Sequence, residues 1–178
     1  MNLPNKLSIV RIALIPLMVA LMYPDNQVCW MLSAAVFAVA AFTDFLDGYI
    51  ARKRRIVTDF GKFIDPVADK LLVLCALIML CYRGLMLSWV VCVILARELC
   101  VDGLRMIAVG KGRVIAAGKL GKIKTVSQIV LVLYLMLIRQ PVMATVPGVL
   151  LSAWVTVITL WSGVDYFVKN GSCILESK

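Results

Sequence analysis

The sequence predicts an all-α integral membrane protein, built as a bundle of six transmembrane helices with both termini in the cytoplasm. Hydrophobic residues make up 62% of the 178 positions and the mean hydropathy is +0.96, far above the apolar share of a soluble domain. Six apolar stretches follow one another with only short polar segments between them. At this length we expect one domain that covers residues 1–178.

The six apolar stretches define the expected spans. They are Leu7–Tyr23, Cys29–Ala51, Leu71–Tyr82, Leu85–Val109, Val126–Ile138 and Val142–Phe167. Several are shorter than the roughly 20 residues that cross the hydrocarbon core. We therefore expect the third and fifth helices to extend into their polar flanks, Asp65–Lys70 and Lys119–Thr125.

The distribution of basic residues predicts the orientation. Of the nineteen Lys and Arg, only Arg83 and Arg139 fall in the loops that follow spans one, three and five. The others lie toward the opposite side, which the positive-inside rule assigns to the cytoplasm. The net charge of +9 then belongs to one leaflet, which favours anionic headgroups or phosphorylated substrates. Nucleic acid is disfavoured as a partner because no soluble domain presents these groups.

The first span follows a polar start, Met1–Ser8, which is unlike a cleaved signal peptide. The second and third spans carry four aspartates. Asp44 and Asp47 are three residues apart, and Asp65 and Asp69 are four apart, so each pair occupies one face of its helix. Carboxylates at a bilayer are costly and usually functional. As helix caps or salt-bridge partners alone, four aspartates on matched faces would be hard to explain.

The chemistry of these aspartates indicates a metal site. Four like charges that converge cannot all stay ionised unaided, and divalent cations would relieve the conflict. The chain has no His, and ligands made only of carboxylate oxygen favour Mg²⁺ or Mn²⁺ over zinc. Two such ions close together would hold a diphosphate and activate an attacking hydroxyl.

Residues 44–69 have the pattern D-x2-D-G-x2-A-R-x8-G-x3-D-x3-D. This pattern resembles the defining motif of the CDP-alcohol phosphatidyltransferases at every specified position. The resemblance implies a six-helix membrane fold, usually a homodimer, with a two-metal site that faces the cytoplasm. It also implies transfer of a phosphatidyl group from a CDP-linked lipid to an alcohol, with release of CMP.

The resemblance also assigns roles to the residues of the motif. Four would be metal ligands: Asp44, Asp47, Asp65 and Asp69. The last of them, Asp69, would also be the base that deprotonates the acceptor hydroxyl. Four more residues would border the cytidine diphosphate: Gly48, Ala51, Arg52 and Gly61.

A second basic region, residues 97–125, indicates a phosphorylated acceptor. Glu98, Asp102 and Arg105 share a face of span four, so we expect the two acidic residues to orient Arg105 toward a phosphate. Lys122 and Lys124 lie near the start of span five, where free N–H groups of the helix also favour an anion. We therefore expect Arg105, with Lys122 or Lys124, to bind the acceptor phosphate.

Strings outside the motif resemble bacterial members of the family that use glycerol 3-phosphate. They are Asn2–Lys6 with Arg11, Ala96–Glu98, Gly103–Arg105, Gly121–Thr125 and Trp161–Tyr166. The resemblance implies CDP-diacylglycerol and sn-glycerol 3-phosphate as substrates, and a bacterial plasma membrane protein with its active site at the cytoplasmic face. The family more often has a small hydroxyl residue where Asp102 stands.

Two alternatives remain open at this point. The same chemistry could use another acceptor, such as inositol phosphate, serine or a second phosphatidylglycerol. A small cation transporter is a distant alternative, because the aspartates lie on two helices at one membrane face and the sequence lacks the broken helices of such carriers.

Overall fold

The computed structural model describes residues 3–54, 59–110 and 118–171, with the side chains of residues 9–43, 68, 70–110 and 118–171. These ranges contain six α-helices, one short 3₁₀ helix and no β-strand, which confirms the all-α class. The helices are α1 (Leu3–Met22), α2 (Gln27–Arg54), α3 (Asp59–Tyr82), α4 (Ser88–Gly110), α5 (Lys119–Ile138) and α6 (Val146–Asn170).

The ends of the helices differ from the apolar stretches in ways that local chemistry explains. α3 begins at Asp59 and α5 at Lys119, so both helices do extend into their polar flanks. α3 also continues through Pro66. The missing N–H of a proline suits the first turn of a helix, but α3 begins at Asp59 and Pro66 lies beyond its first turn. α6 begins later than its apolar stretch, because Val142–Ala144 forms the 3₁₀ helix and the Thr145 hydroxyl caps α6 by accepting from the Gly148 N–H at 3.2 Å.

The interior of the bundle is apolar, with a few polar groups that bind the backbone of a neighbouring helix. α1 packs against α2 and α3, α2 also contacts α5, and α4 and α5 pack against α6. The Ser33 hydroxyl donates to the Met18 carbonyl at 3.0 Å, and the buried Arg11 Nε donates to the Ala40 carbonyl at 3.3 Å. The largest buried apolar side chains include Met18, Trp30, Phe37, Leu77, Leu131 and Leu135.

The outside of the bundle is also apolar, and this distinguishes it from a soluble protein. Large apolar side chains are exposed on all six helices, among them Val10, Phe42, Ile78, Met106, Val126 and Val168. A surface of this kind is suited to lipid rather than water. By length and composition α5 and α6 could each cross a membrane, and shorter apolar stretches occupy Ile9–Met22, Gln27–Thr43 and Lys70–Tyr82.

Candidate active site

The backbone places the four aspartates at matching depths on two helices. Asp44 lies ten residues before the end of α2, and Asp69 lies ten residues after the start of α3. Asp47 and Asp65 lie seven and six residues from those same ends. At 1.5 Å per residue, all four fall within about 15 Å of the end of the bundle where α2 and α3 meet. The helix positions are therefore those that a shared site needs.

The side chains of the motif lie outside the described part of the structure. This applies to the four aspartates and to the residues that the resemblance places around cytidine diphosphate, which are Gly48, Ala51, Arg52 and Gly61. Among the side chains that are described, no group of three or more His, Cys, Asp or Glu could hold a metal ion. The donor chemistry of the motif itself, four carboxylates from two packed helices, fits Mg²⁺ or Mn²⁺.

A buried cation lies beside the first aspartate of the motif. Arg11 of α1 is 1% exposed, and its Nε contacts the Ala40 carbonyl, one turn before Asp44 on α2. A guanidinium group is rarely buried unless it is paired with other polar groups. The sequence analysis included Arg11 only as part of a resembling string, because its burial depends on how α1 packs against α2.

A buried ion pair joins α4 to α5. Lys124 Nζ donates to Glu98 Oε1, and the two side chains are only 5% and 6% exposed. Arg97 Nη1 also approaches both carboxylate oxygens of Glu98, at 3.4 and 3.5 Å. One carboxylate therefore neutralises part of two positive charges, and it ties the middle of α4 to the first turns of α5.

A second ion pair joins α4 to the helix of Asp65 and Asp69. Lys70, the residue directly after Asp69, forms an ion pair with Asp102 of α4, and both side chains are partly exposed. Because Lys70 directly follows Asp69 in the chain, this contact joins the charged part of α4 to α3 one residue beyond the last aspartate of the motif. Two regions that are far apart in the sequence are therefore in contact in the folded protein.

Arg105 has a different partner from the predicted one. Its Nε donates to the Tyr166 hydroxyl of α6 at 3.1 Å, while Asp102 pairs with Lys70 and Glu98 pairs with Lys124. The prediction that Glu98 and Asp102 hold Arg105 is wrong, because basic residues on α3 and α5 occupy both carboxylates. Arg105 is still oriented, but by a phenol from a helix sixty-one residues away.

The two lysines at the start of α5 differ in exposure. Lys122 is exposed to the surroundings of the bundle, whereas Lys124 is buried with Glu98. Lys122 lies in the first turn of α5, where free backbone N–H groups favour an anion. The structure therefore leaves Lys122 accessible to a ligand and gives Lys124 a place inside the bundle.

Arg97 is part of the string Ala96–Glu98 in the sequence analysis, but it was not predicted there to bind a ligand. Its Nε is buried and has no hydrogen-bond partner among the described residues. Its side chain crosses Gly163 of α6, where an added Cβ would lie 3.1 Å from Arg97 Cγ. Arg97 lies outside the helix face that Glu98 and Asp102 share, so reasoning from that face did not select it. Only Gly163, which has no side chain, could have indicated from the sequence that Arg97 contacts α6.

Comparison with known proteins indicates the family to which this chain belongs. The family model for CDP-alcohol phosphatidyltransferase matches residues 1–164. Three curated relatives carry the name CDP-diacylglycerol–glycerol-3-phosphate 3-phosphatidyltransferase. The Bacillus subtilis relative is 44% identical, over 99% of this chain and 98% of its own length. The Salmonella choleraesuis relative is 36% identical over 98% of both chains, and the Rickettsia typhi relative is 46% identical over 71% of both.

The family match covers the aspartate helices, the α4–α5 ion pair and α6 as far as residue 164, and the relatives from Bacillus and Salmonella cover nearly the whole chain. The chain therefore belongs to the CDP-alcohol phosphatidyltransferase family.

Proposed function

We propose that this protein transfers a phosphatidyl group from CDP-diacylglycerol to sn-glycerol 3-phosphate, which gives phosphatidylglycerophosphate and CMP. Relatives that carry the name of this activity align with almost the full chain. The observation that favours a phosphorylated acceptor is the Lys70–Asp102 ion pair, because it joins the basic region of α4 to α3 one residue after Asp69.

The proposed architecture follows from the helices and the charge distribution. All six helices cross the plasma membrane of a bacterial cell, both termini and the active site face the cytoplasm, and residues 1–178 form one domain. The apolar exterior of the bundle and the basic residues concentrated toward one side support this arrangement. A homodimer is the usual assembly that the family resemblance implies.

The proposed cofactor is a pair of divalent ions, Mg²⁺ or Mn²⁺. Asp44, Asp47, Asp65 and Asp69 would hold them, since hard oxygen ligands suit these ions. When bound, such ions neutralise a diphosphate and stabilise the charge on departing CMP. The small or basic residues between the aspartates, Gly48, Ala51, Arg52 and Gly61, would border the cytidine diphosphate.

The acceptor phosphate would meet the basic residues of α4 and α5. Arg105, oriented by Tyr166, offers a fork of N–H donors, and Lys122 adds an exposed ammonium group at a helix N-terminus. On α4, the helix of Arg105, Arg97 Nε is one more buried donor. Lys124 contributes from inside the bundle, where its pair with Glu98 fixes the start of α5 against α4.

With its phosphate held, glycerol 3-phosphate would present its primary hydroxyl to Asp69. The Asp69 carboxylate takes the hydroxyl proton, and the oxygen forms a bond to the phosphorus that carries diacylglycerol. The bond from that phosphorus to the CMP oxygen breaks, and CMP leaves toward the cytoplasm. The acyl chains stay in the leaflet throughout, which gives a physical reason for a phosphoryl-transfer site at this depth.

The proposal is tested by supplying the purified full chain with CDP-diacylglycerol, Mg²⁺ and one acceptor at a time. We expect CMP to be released with glycerol 3-phosphate and only at background level with inositol phosphate, serine or phosphatidylglycerol. Preference for one of those other acceptors would overturn the assignment of the alcohol. Absence of CMP with all of them would overturn phosphatidyl transfer itself.

A further inference from the structure

A cluster of charged residues lies at the end of the bundle away from the aspartates. Asp25 follows α1, Arg83 follows α3 and Arg139 ends α5, so three separate loops meet there. Arg83 Nη2 lies 3.2 Å from Asp25 Oδ1, and Arg139 Nη2 forms an ion pair with the same oxygen. Together with Trp30 and Leu85, these residues line one pocket. We call this group the loop cluster.

The two guanidinium groups of the loop cluster are held in place by more than Asp25. Their Cζ atoms lie 5.6 Å (Arg83) and 5.2 Å (Arg139) from the centroid of the Trp30 ring, within the range of a cation–π contact. Trp30 is itself 1% exposed and donates its Nε1–H to the Pro24 carbonyl at 3.2 Å. Arg139 Nη1 also donates to Gln27 at 2.9 Å. Both cations are therefore preorganised on a rigid aromatic base.

The charges of the loop cluster do not balance. Two guanidinium groups share one carboxylate, and the Asp25 side chain is 74% exposed, so water weakens its hold. Arg139 keeps this position in a left-handed backbone conformation (φ 56°), which favours glycine over a residue with a side chain. Within the cluster, one positive charge and several N–H donors remain for an anion.

Aromatic residues around the loop cluster indicate the depth at which it lies. Tyr23 and Tyr82 are both exposed, with ring centroids 6.1 Å apart, and Trp89 is exposed at the start of α4. Exposed Tyr and Trp at the ends of membrane helices are typical of the headgroup region. The phosphates of the lipids in that leaflet would therefore lie level with Arg83 and Arg139.

We infer that the loop cluster is a binding site for the phosphate group of a phospholipid, in the leaflet opposite the active site. Arg83 and Arg139 would bind the phosphate oxygens through charge-assisted hydrogen bonds. Because three loops supply the cluster, a bound headgroup would hold the ends of α1, α3 and α5 together. None of the residues of the loop cluster belongs to the proposed catalytic site.

Native mass spectrometry of the full chain in detergent tests this inference. Dioctanoyl phosphatidylglycerol is the lipid probe, inorganic phosphate tests a free anion, and dioctanoylglycerol tests the acyl chains alone. We expect Arg83→Gln with Arg139→Gln to weaken the binding of one phospholipid by about tenfold. The matched control is Lys169→Gln, which removes an exposed cation near the end of α6 and should bind as the unaltered chain does.

Three outcomes would overturn the inference. These are equal phospholipid binding by the double arginine variant, equally tight binding of dioctanoylglycerol, and equally tight binding of inorganic phosphate, which would assign the site to a free anion. If the double variant fails to fold, Asp25→Asn decides. It retains both arginines and removes the competing carboxylate, so we expect phospholipid to bind about threefold more tightly or better. A lower melting temperature with no gain in binding would make the cluster a loop clamp only.

Discussion

Two lysines at the start of α5, separated by one residue, have opposite surroundings. Lys122 is exposed, whereas Lys124 is buried with Glu98. We expect Lys122→Gln to raise the KM for glycerol 3-phosphate by about tenfold without altering the melting temperature, because it removes a charged contact to a ligand. Lys124→Gln should instead destabilise the protein by about 3–5 kcal/mol, because Glu98 is left without its lysine in the interior.

Kinetics and thermal unfolding of the two lysine variants in the same detergent check this pair of expectations. The Glu98→Gln and Lys124→Gln double variant is the control, and it should recover the part of the lost stability that comes from a charged Glu98 without its lysine. If Lys124→Gln alters only the KM for glycerol 3-phosphate, Lys124 touches the acceptor and the division of roles is wrong.

Asp69 has the most demanding role, as the proposed base. Asp69→Asn keeps the size of the side chain and removes its basicity, so we expect turnover to fall by at least about 100-fold while the protein stays folded. The rate of CMP release, with circular dichroism to check folding, is the measurement. Asp165→Asn makes the same change on α6, where the partly exposed Asp165 pairs with Lys169 one turn away, and should remain active. Substantial turnover by Asp69→Asn would remove it from this role.

Tyr166 is expected to act through Arg105. Tyr166→Phe keeps the ring and removes the hydroxyl that accepts from Arg105 Nε, so we expect the KM for glycerol 3-phosphate to rise by about three- to tenfold. The KM for CDP-diacylglycerol should change little. Tyr134→Phe is the matched control, because its hydroxyl donates to Thr145 near the other end of the bundle. Equal effects of the two substitutions on the acceptor KM would show that Tyr166 does not position Arg105.

The sequence was informative about some of these residues and not about others, for a physical reason. The spacing of Asp44, Asp47, Asp65 and Asp69 depends only on the geometry of single helices, so their placement as two pairs on α2 and α3 could be predicted. The partners of Arg105 and Glu98 depend on which helices meet, and Tyr166, Lys124 and Lys70 come from three of them. Helix-face reasoning within α4 could not find these contacts.

At the scale of elements, α4 and α6 approach closely where glycine leaves room for Arg97. We expect Gly163→Ala to shift the Arg97 side chain by a few tenths of an ångström, at a cost of about 1 kcal/mol in stability and with reduced activity, because the new Cβ would lie 3.1 Å from Arg97 Cγ. Gly103→Ala is the matched control within α4, since no atom that the structure describes outside the helix's own backbone lies within 4 Å of an added Cβ, and it should be neutral or stabilising by up to about 1 kcal/mol.

Thermal unfolding and CMP release of the two glycine variants check this expectation. A Gly163→Ala protein with unaltered stability and activity would show that the space over Gly163 is not needed by Arg97. If both variants were equally impaired, the effect would come from helix substitution in general and not from the α4–α6 contact.

Hydropathy could predict the number and order of the helices, but their ends required local chemistry. An average of hydropathy does not include the polar first turns of α3 and α5. Their inclusion in the helices could be predicted because a span needs about 20 residues and the apolar stretches are shorter. The late start of α6 depends on the Thr145 cap, which hydropathy does not detect. These ends matter because the site residues lie close to them.

At the scale of the whole molecule, charge and polarity are separated along the bundle. Glu98, Lys124 and Lys70 are gathered toward the end where α2 and α3 carry the aspartates, while the loop cluster with its two arginines lies at the other end. The lateral surface between them is apolar. This separation is the arrangement that the proposed active site at one end and the proposed headgroup site at the other would require.

The central claim is that the aspartate helices carry out metal-dependent phosphatidyl transfer to glycerol 3-phosphate. The most direct measurement is glycerol 3-phosphate-dependent CMP release from CDP-diacylglycerol by the full chain, before chelation, after chelation and after metal is returned. We predict that chelation abolishes release and that Mg²⁺ or Mn²⁺ restores it, since carboxylate oxygens favour these ions. Release that persists without divalent ions, or that does not depend on glycerol 3-phosphate, would contradict the account.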